Sequence, residues 1–186
     1  MGIPKKKLKT WGMTFGIGVG MKETMTNKHY MSKKTIIKKG THGPIKIPKV
    51  KINPILLQYE ITFTDSCKYD IGQDQSDINK LFGIGYLPFH HYNSVRIGWN
   101  YNIKINKIDI WAYWYKKGVR GWEWLDCVNF MQPSYMEIQI KNTEHIIRTK
   151  NSYFSVPVNG ESIGYLLRPY FGGNQKAPHD IKIIGI

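Results

Sequence analysis

The chain has 186 residues, of which 41% are hydrophobic, 13% aromatic and 22% charged; that suffices for one substantial core, is short for two domains, and excludes a globally disordered chain. No apolar stretch approaches the ~20 residues a membrane-spanning helix needs, and two cysteines, Cys67 and Cys127, exclude a disulfide scaffold or a four-thiolate zinc site while leaving one bridge open. The net charge of +14 is uneven, because residues 1–55 hold thirteen lysines against one acid, Glu23, whereas residues 56–186 are close to balanced.

Charge thus divides the chain into a basic arm, 1–55, and a near-neutral body, 56–186. In the arm, Lys5, Lys6 and Lys7 precede an apolar run from Trp11 to Gly20 that imitates a secretory signal. It is interrupted by glycines and lacks a small-residue cleavage site, so export is not expected. Gly2 lacks the hydroxyl residue that myristoylation wants where Lys6 stands, and Gly16, Gly18 and Gly20 lack the spacing and context of a dinucleotide loop.

Further on, Lys33, Lys34, Lys38 and Lys39 flank a β-branched run, and Ile45, Ile47, Val50 and Ile52 alternate with lysines. Pro44, Pro48 and Pro54 forbid a continuous helix there. The pattern predicts an extended arm that adds strands to a neighbouring subunit's sheet or lies along its surface, with these residues and Lys5, Lys6 and Lys7 as the binding elements. Arginine is missing before Arg96, so contact with nucleic acid is expected to be at most non-specific.

From Leu56 onward, short runs of period two separated by turn residues predict an antiparallel two-sheet β-sandwich. The expected strands are 56–64, 82–86, 94–100, 107–115, 122–130, 135–141, 145–150, 153–158, 163–170 and 179–186. Within 107–115, Ile108, Ile110, Ala112 and Trp114 fall on one face and Asp109, Trp111, Tyr113 and Tyr115 on the other. After the turn at Lys116–Gly121 the alternation sets Trp122, Trp124, Asp126 and Val128 on one face. Cross-strand aromatic pairs stabilise a sheet; alternatively, Trp111, Tyr113 and Tyr115 form a platform for sugar rings or for a protein neighbour.

Three stretches, DINKLFG (77–83), HHYNSVRIGW (90–99) and PYFGGNQKAPHDI (169–181), carry a resemblance. Over residues 56–186 the chain resembles the uncharacterised family of jelly-roll, concanavalin-like β-sandwich proteins found in crAss-like bacteriophages and Bacteroidetes. The resemblance implies a fold and a biological setting, and no catalytic residue. Arg96, inside a strand, needs an acidic or carbonyl partner, for which Asp180 and Asp109 are candidates, or else a ligand.

Signals for chemistry are weak. Adjacent histidines in a strand, such as His90 and His91, point to opposite faces; a metal site would need them in a loop with His179 or Asp180. Asp65, Asp70, Asp74 and Asp77 form an acidic loop without EF-hand spacing. The alternating acids of concanavalin-like glucanases are absent, and polysaccharide lyases of similar fold use Arg, Gln, His and Tyr in strand motifs that this chain lacks. No catalytic residue, cofactor or metal is therefore expected. The leading expectation is a non-catalytic structural protein of a phage virion, anchored to other virion proteins by its arm in a symmetric assembly, with no membrane partner. The alternative is a lectin-like module that binds glycan through Trp111, Tyr113, Tyr115, His91 and Arg96.

Overall fold

The computed structural model describes residues 33–44 and 47–186. They form two six-stranded antiparallel sheets. The first runs, edge to edge, through β1 (Lys34–Ile37), β12 (Ile181–Ile184), β3 (Leu56–Phe63), β8 (Ser134–Ile140), β9 (His145–Thr149) and β10 (Tyr153–Val156). The second runs through β2 (Val50–Ile52), β11 (Ile163–Leu167), β4 (Asn79–Tyr86), β5 (Asn93–Asn102), β6 (Lys107–Lys116) and β7 (Val119–Val128). Every strand expected between residues 56 and 186 is present, with ends moved by a few residues, and the all-β sandwich is the fold.

The sandwich core gathers the inward positions of both sheets. Trp99 on β5 is fully buried, with Phe63 of the opposite sheet 5.3 Å away between ring centroids and Tyr69 and Phe171 edge-on to it. A polar tie also crosses the core, between Tyr86 Oη and His145 Nε2 at 2.6 Å. Burial holds that imidazole well down, at about 4, and hence neutral.

The β-sandwich takes in strands that precede the expected boundary at residue 55. Lys34–Ile37 pairs with β12 of the same chain, and Val50–Ile52 pairs with β11. The alternation did signal strand addition, but onto this chain's own sheet edges, which are tethered and so have the higher effective concentration. Lys38 binds Asp180 at 2.7 Å and the Lys39 N–H donates to the same carboxylate, so both act within the domain. Ile47, Val50 and Ile52 stay exposed. Lys5, Lys6, Lys7 and Ile45 lie outside the described residues.

Because Ile37 is wholly buried in the core, Ile37→Ala should cost about 2–5 kcal/mol in urea unfolding. A cost under about 0.5 kcal/mol would show that β1 is dispensable and restore the original boundary.

Strand β7 departs from the expected alternation. A bulge opposite Ile110 and Trp111 places an extra residue, Leu125, in the strand. The alternation inverts there. Trp122 and Trp124 are exposed, while Asp126 turns in to accept from Thr149 Oγ1 at 2.9 Å and Asn151 Nδ2 at 3.1 Å. Cys67 and Cys127 are both free thiols, and burial pushes the Cys67 thiol up to about 12.

Candidate functional site

The outer face of the second sheet carries the site. Directly opposed residues in antiparallel strands share a face, and one cross-strand row reads Gly83, Arg96, Tyr113, Trp122 from β4 to β7. The rows beside it bring Ser94, Tyr115 and Arg120 together on one side, and Lys80, Gly98 and Trp111 on the other. Gly83 is required by a close approach, since a Cβ there would lie 2.8 Å from Arg96 Cγ. The arginine stem lies where that side chain would be.

Around this floor a cleft of about 890 Å³ is walled by residues 40–44 and Pro48, by the 165–173 segment, and at one end by His90 and His91. The DINKLFG and PYFGGN stretches lock together to build a wall: Asn79 Oδ1 accepts from the Gly172 N–H, Asp77 accepts from the Gly173 N–H at 3.2 Å, and Lys80 and Tyr170 exchange backbone bonds at 2.8 Å. His42 stacks on Tyr170 with ring centroids 4.8 Å apart. The 77–83, 90–99 and 169–181 stretches therefore all contribute to this groove.

Its electrostatics are one-sided. Lys80, Arg96, Arg120, Arg168 and Lys176 line it, and among the described residues no carboxylate does. Arg96 is 9% exposed, its Nε has no hydrogen-bond partner, and none of the ion pairs among the described residues includes it, Lys80 or Arg120. The expected acidic partners are engaged elsewhere, Asp180 with Lys38 and Asp109 with Asn102 and Trp124. Burial pushes the guanidinium down from 12.5 to about 10, against the opposing influence of Tyr113, Tyr165, Tyr115 and Tyr170, so it remains charged at neutral pH.

The Lys80 ammonium sits 4.8 Å from the Tyr113 ring centroid, an arrangement that favours a cation. Burial, then Arg96, nevertheless brings it down to about 8. Burial, then Arg96 and His91, pushes His90 down to about 4, which leaves a neutral imidazole beside the cations. Tyr113 is pushed up by burial and by its bond to Tyr115, so its hydroxyl keeps its proton.

Trp111, Tyr113, Tyr115, His91 and Arg96 are all brought to this face. Sequence reasoning missed Lys80, Arg120, Tyr165 and Tyr170. Lys80 and Tyr170 sit inside quoted stretches, and Arg120 was masked by its place next to a turn. His179, considered as a metal ligand, binds the Ser66 carbonyl at 2.8 Å instead, away from His90 and His91. The acidic loop is split among separate partners, Asp65 with Lys68, Asp70 with the Gly72 N–H, Asp74 with Gln175 and Asp77 with Gly173. No cluster of three or more potential ligands suited to a metal occurs among the described residues.

No protein-family model matches the chain, and no curated protein sequence does. Among solved structures, the alginate lyase AlyC3 is similar with a TM-score of 0.57 and 11% identity, over 83% of this chain and 72% of that one. The carbohydrate-binding module CBM66 from Bacillus subtilis aligns with a TM-score of 0.38 and 8% identity, over 84% of this chain and 93% of that one. CG-16, a homodimeric agglutinin from chicken liver, gives 0.35 and 7% over 82% and 92%. At these identities the first comparison establishes the β-sandwich fold alone.

Proposed function

We propose that the domain binds an acidic polysaccharide in the groove of its second sheet. The observation that carries this reading is Arg96, a buried guanidinium without a counter-charge among the described residues. An unpaired buried charge costs several kcal/mol, and a carboxylate or sulfate entering the cleft supplies the missing partner through the fork geometry that arginine matches best. Tyrosine rings beside it offer flat apolar faces to sugar rings. That a protein of similar fold is named an alginate lyase, alginate being a polyuronate, is in keeping with such a ligand.

Calorimetric titration with a soluble polyuronate and with a neutral glucan of equal length tests it. The polyuronate should bind, and bind less tightly as salt rises; the glucan should not bind. Equal binding of both polymers would overturn the reading.

Cleavage is a second reading, favoured by one juxtaposition: an uncharged imidazole, His90, and protonated tyrosine hydroxyls beside Arg96. A base, an acid and a carboxylate-neutralising cation are what β-elimination from a uronate uses. Ultraviolet absorbance from unsaturated ends, on incubation with the polyuronate, separates turnover from binding without it. The virion-assembly proposal, in which an N-terminal arm grips neighbouring subunits, now leans on residues 1–32 and on exposed Ile47, Val50 and Ile52, since β1 belongs to this domain's own sheet. Its test is incorporation of the full chain into particles against a chain lacking residues 1–32.

A further inference from the structure

The groove does not end at its cationic cleft. Past Lys80, Tyr113 and Arg120, which border both spaces, the same sheet face opens into a second hollow of about 470 Å³. Its surface includes Trp111, Trp122, Asn100 and two carboxylates, Asp77 and Asp109. The chemistry here differs from that of the first cleft, which has no carboxylate among the described residues.

The polar atoms of the second hollow largely satisfy one another. Trp111 Nε1 donates to Asn100 Oδ1 at 2.5 Å, Asp109 accepts from Asn102 Nδ2 at 2.9 Å and from Trp124 Nε1 at 3.3 Å, and Asp77 is taken up by the Gly173 N–H. Indole surface remains available: Trp122 is 49% exposed, with the Arg120 guanidinium 5.1 Å from its ring centroid. A second acidic sugar in this hollow would meet Asp77 and Asp109 as well as Lys80 and Arg120, so the excess positive charge of the first cleft is missing here. An uncharged ring loses nothing by their presence and gains the stacking face.

Register gives the spacing. Trp111 lies opposite Gly98, two residues along β5 from Arg96, roughly 7 Å at the usual rise of a strand, and Trp122 lies in the row of Arg96 two strands across, roughly 10 Å at the usual strand separation. Neighbouring units of an extended glycan laid across the sheet from Arg96 reach both indoles. We infer that the second hollow is a subsite for a neutral sugar adjoining the acidic sugar held by Arg96, so that the ligand is a heteropolysaccharide with acidic and uncharged residues side by side. This rests on the acidic-polysaccharide reading and narrows it.

The probes are defined oligosaccharides of alginate, acidic at every unit, and of hyaluronan and desulfated chondroitin, which alternate a uronate with an uncharged hexosamine. Affinity for an alternating oligosaccharide should exceed that for alginate of equal length by about tenfold, or ~1.4 kcal/mol. Trp122→Ala, an exposed position whose folding circular dichroism verifies, should remove that advantage; Trp122→Phe should keep most of it. Equal affinity for both classes, or an unchanged preference in Trp122→Ala, overturns the subsite while the acidic-glycan reading stands. Binding of neither class overturns both.

Discussion

Arg96→Met is expected to abolish polyuronate binding and, at the same time, to make the protein more stable. The two effects share one cause. The fall of the Arg96 guanidinium from 12.5 to about 10 on folding corresponds to roughly 3 kcal/mol of unfavourable burial at neutral pH. Methionine has similar reach, fills the space above Gly83 and brings no charge, so unfolding should become harder by about 1–3 kcal/mol, with Tm rising by several degrees.

Removing one partner of a buried charge pair costs binding about 2–5 kcal/mol, or at least thirtyfold in affinity. A structural arginine would behave in the opposite way, since Arg96→Met would then break a satisfied network and lower Tm. Calorimetric melting of the free protein therefore separates a ligand-binding arginine from a structural one before any glycan is added.

Affinity for the same polyuronate should fall as pH rises through about 8, more than two pH units below the 10.5 at which an ordinary lysine loses its proton. The group responsible is Lys80, depressed by burial and by Arg96 and Arg120, with Asp77 acting in the opposite direction. Tyr113 and Tyr170 contribute their ring faces. Below about 8 Lys80 is a cation and attracts the ligand; above it the groove has lost a charge.

The sign for stability is the reverse. A base whose folded value is lowered penalises the fold below that value, and the penalty is relieved between about 8 and 10.5. The free protein should thus gain stability over the range in which it loses affinity. Lys80→Arg, which stays charged, should flatten the binding profile between pH 7 and 9. A wild-type profile already flat over that range would remove Lys80 from the site.

Much of the architecture was legible because a sheet is written locally. Ile108, Ile110, Ala112 and Trp114 alternate with Asp109, Trp111, Tyr113 and Tyr115, and period two is enough to predict both the strand and which side faces solvent. The five residues suggested as a ligand face were accessible to the same logic, since neighbouring strands with matching alternation put their outward positions on one surface. Where a bulge adds Leu125, that logic failed at Asp126, because a single extra residue inverts every face beyond it.

By itself the sequence determined the sandwich, its strands from Leu56 onward and the aromatic outer face, all of which follow from short-range periodicity. Only the tertiary structure decided where the early segments dock. The same alternating lysines and isoleucines suit any free sheet edge, and which edge they take depends on β12 and β11, more than a hundred residues away in the chain. The absence of a partner for Arg96 was also hidden, because Asp109 and Asp180 are plausible counter-ions until the fold commits one to Asn102 and Trp124 and the other to Lys38. Charge balance at a site is a property of three-dimensional neighbours, and sequence distance carries no information about it.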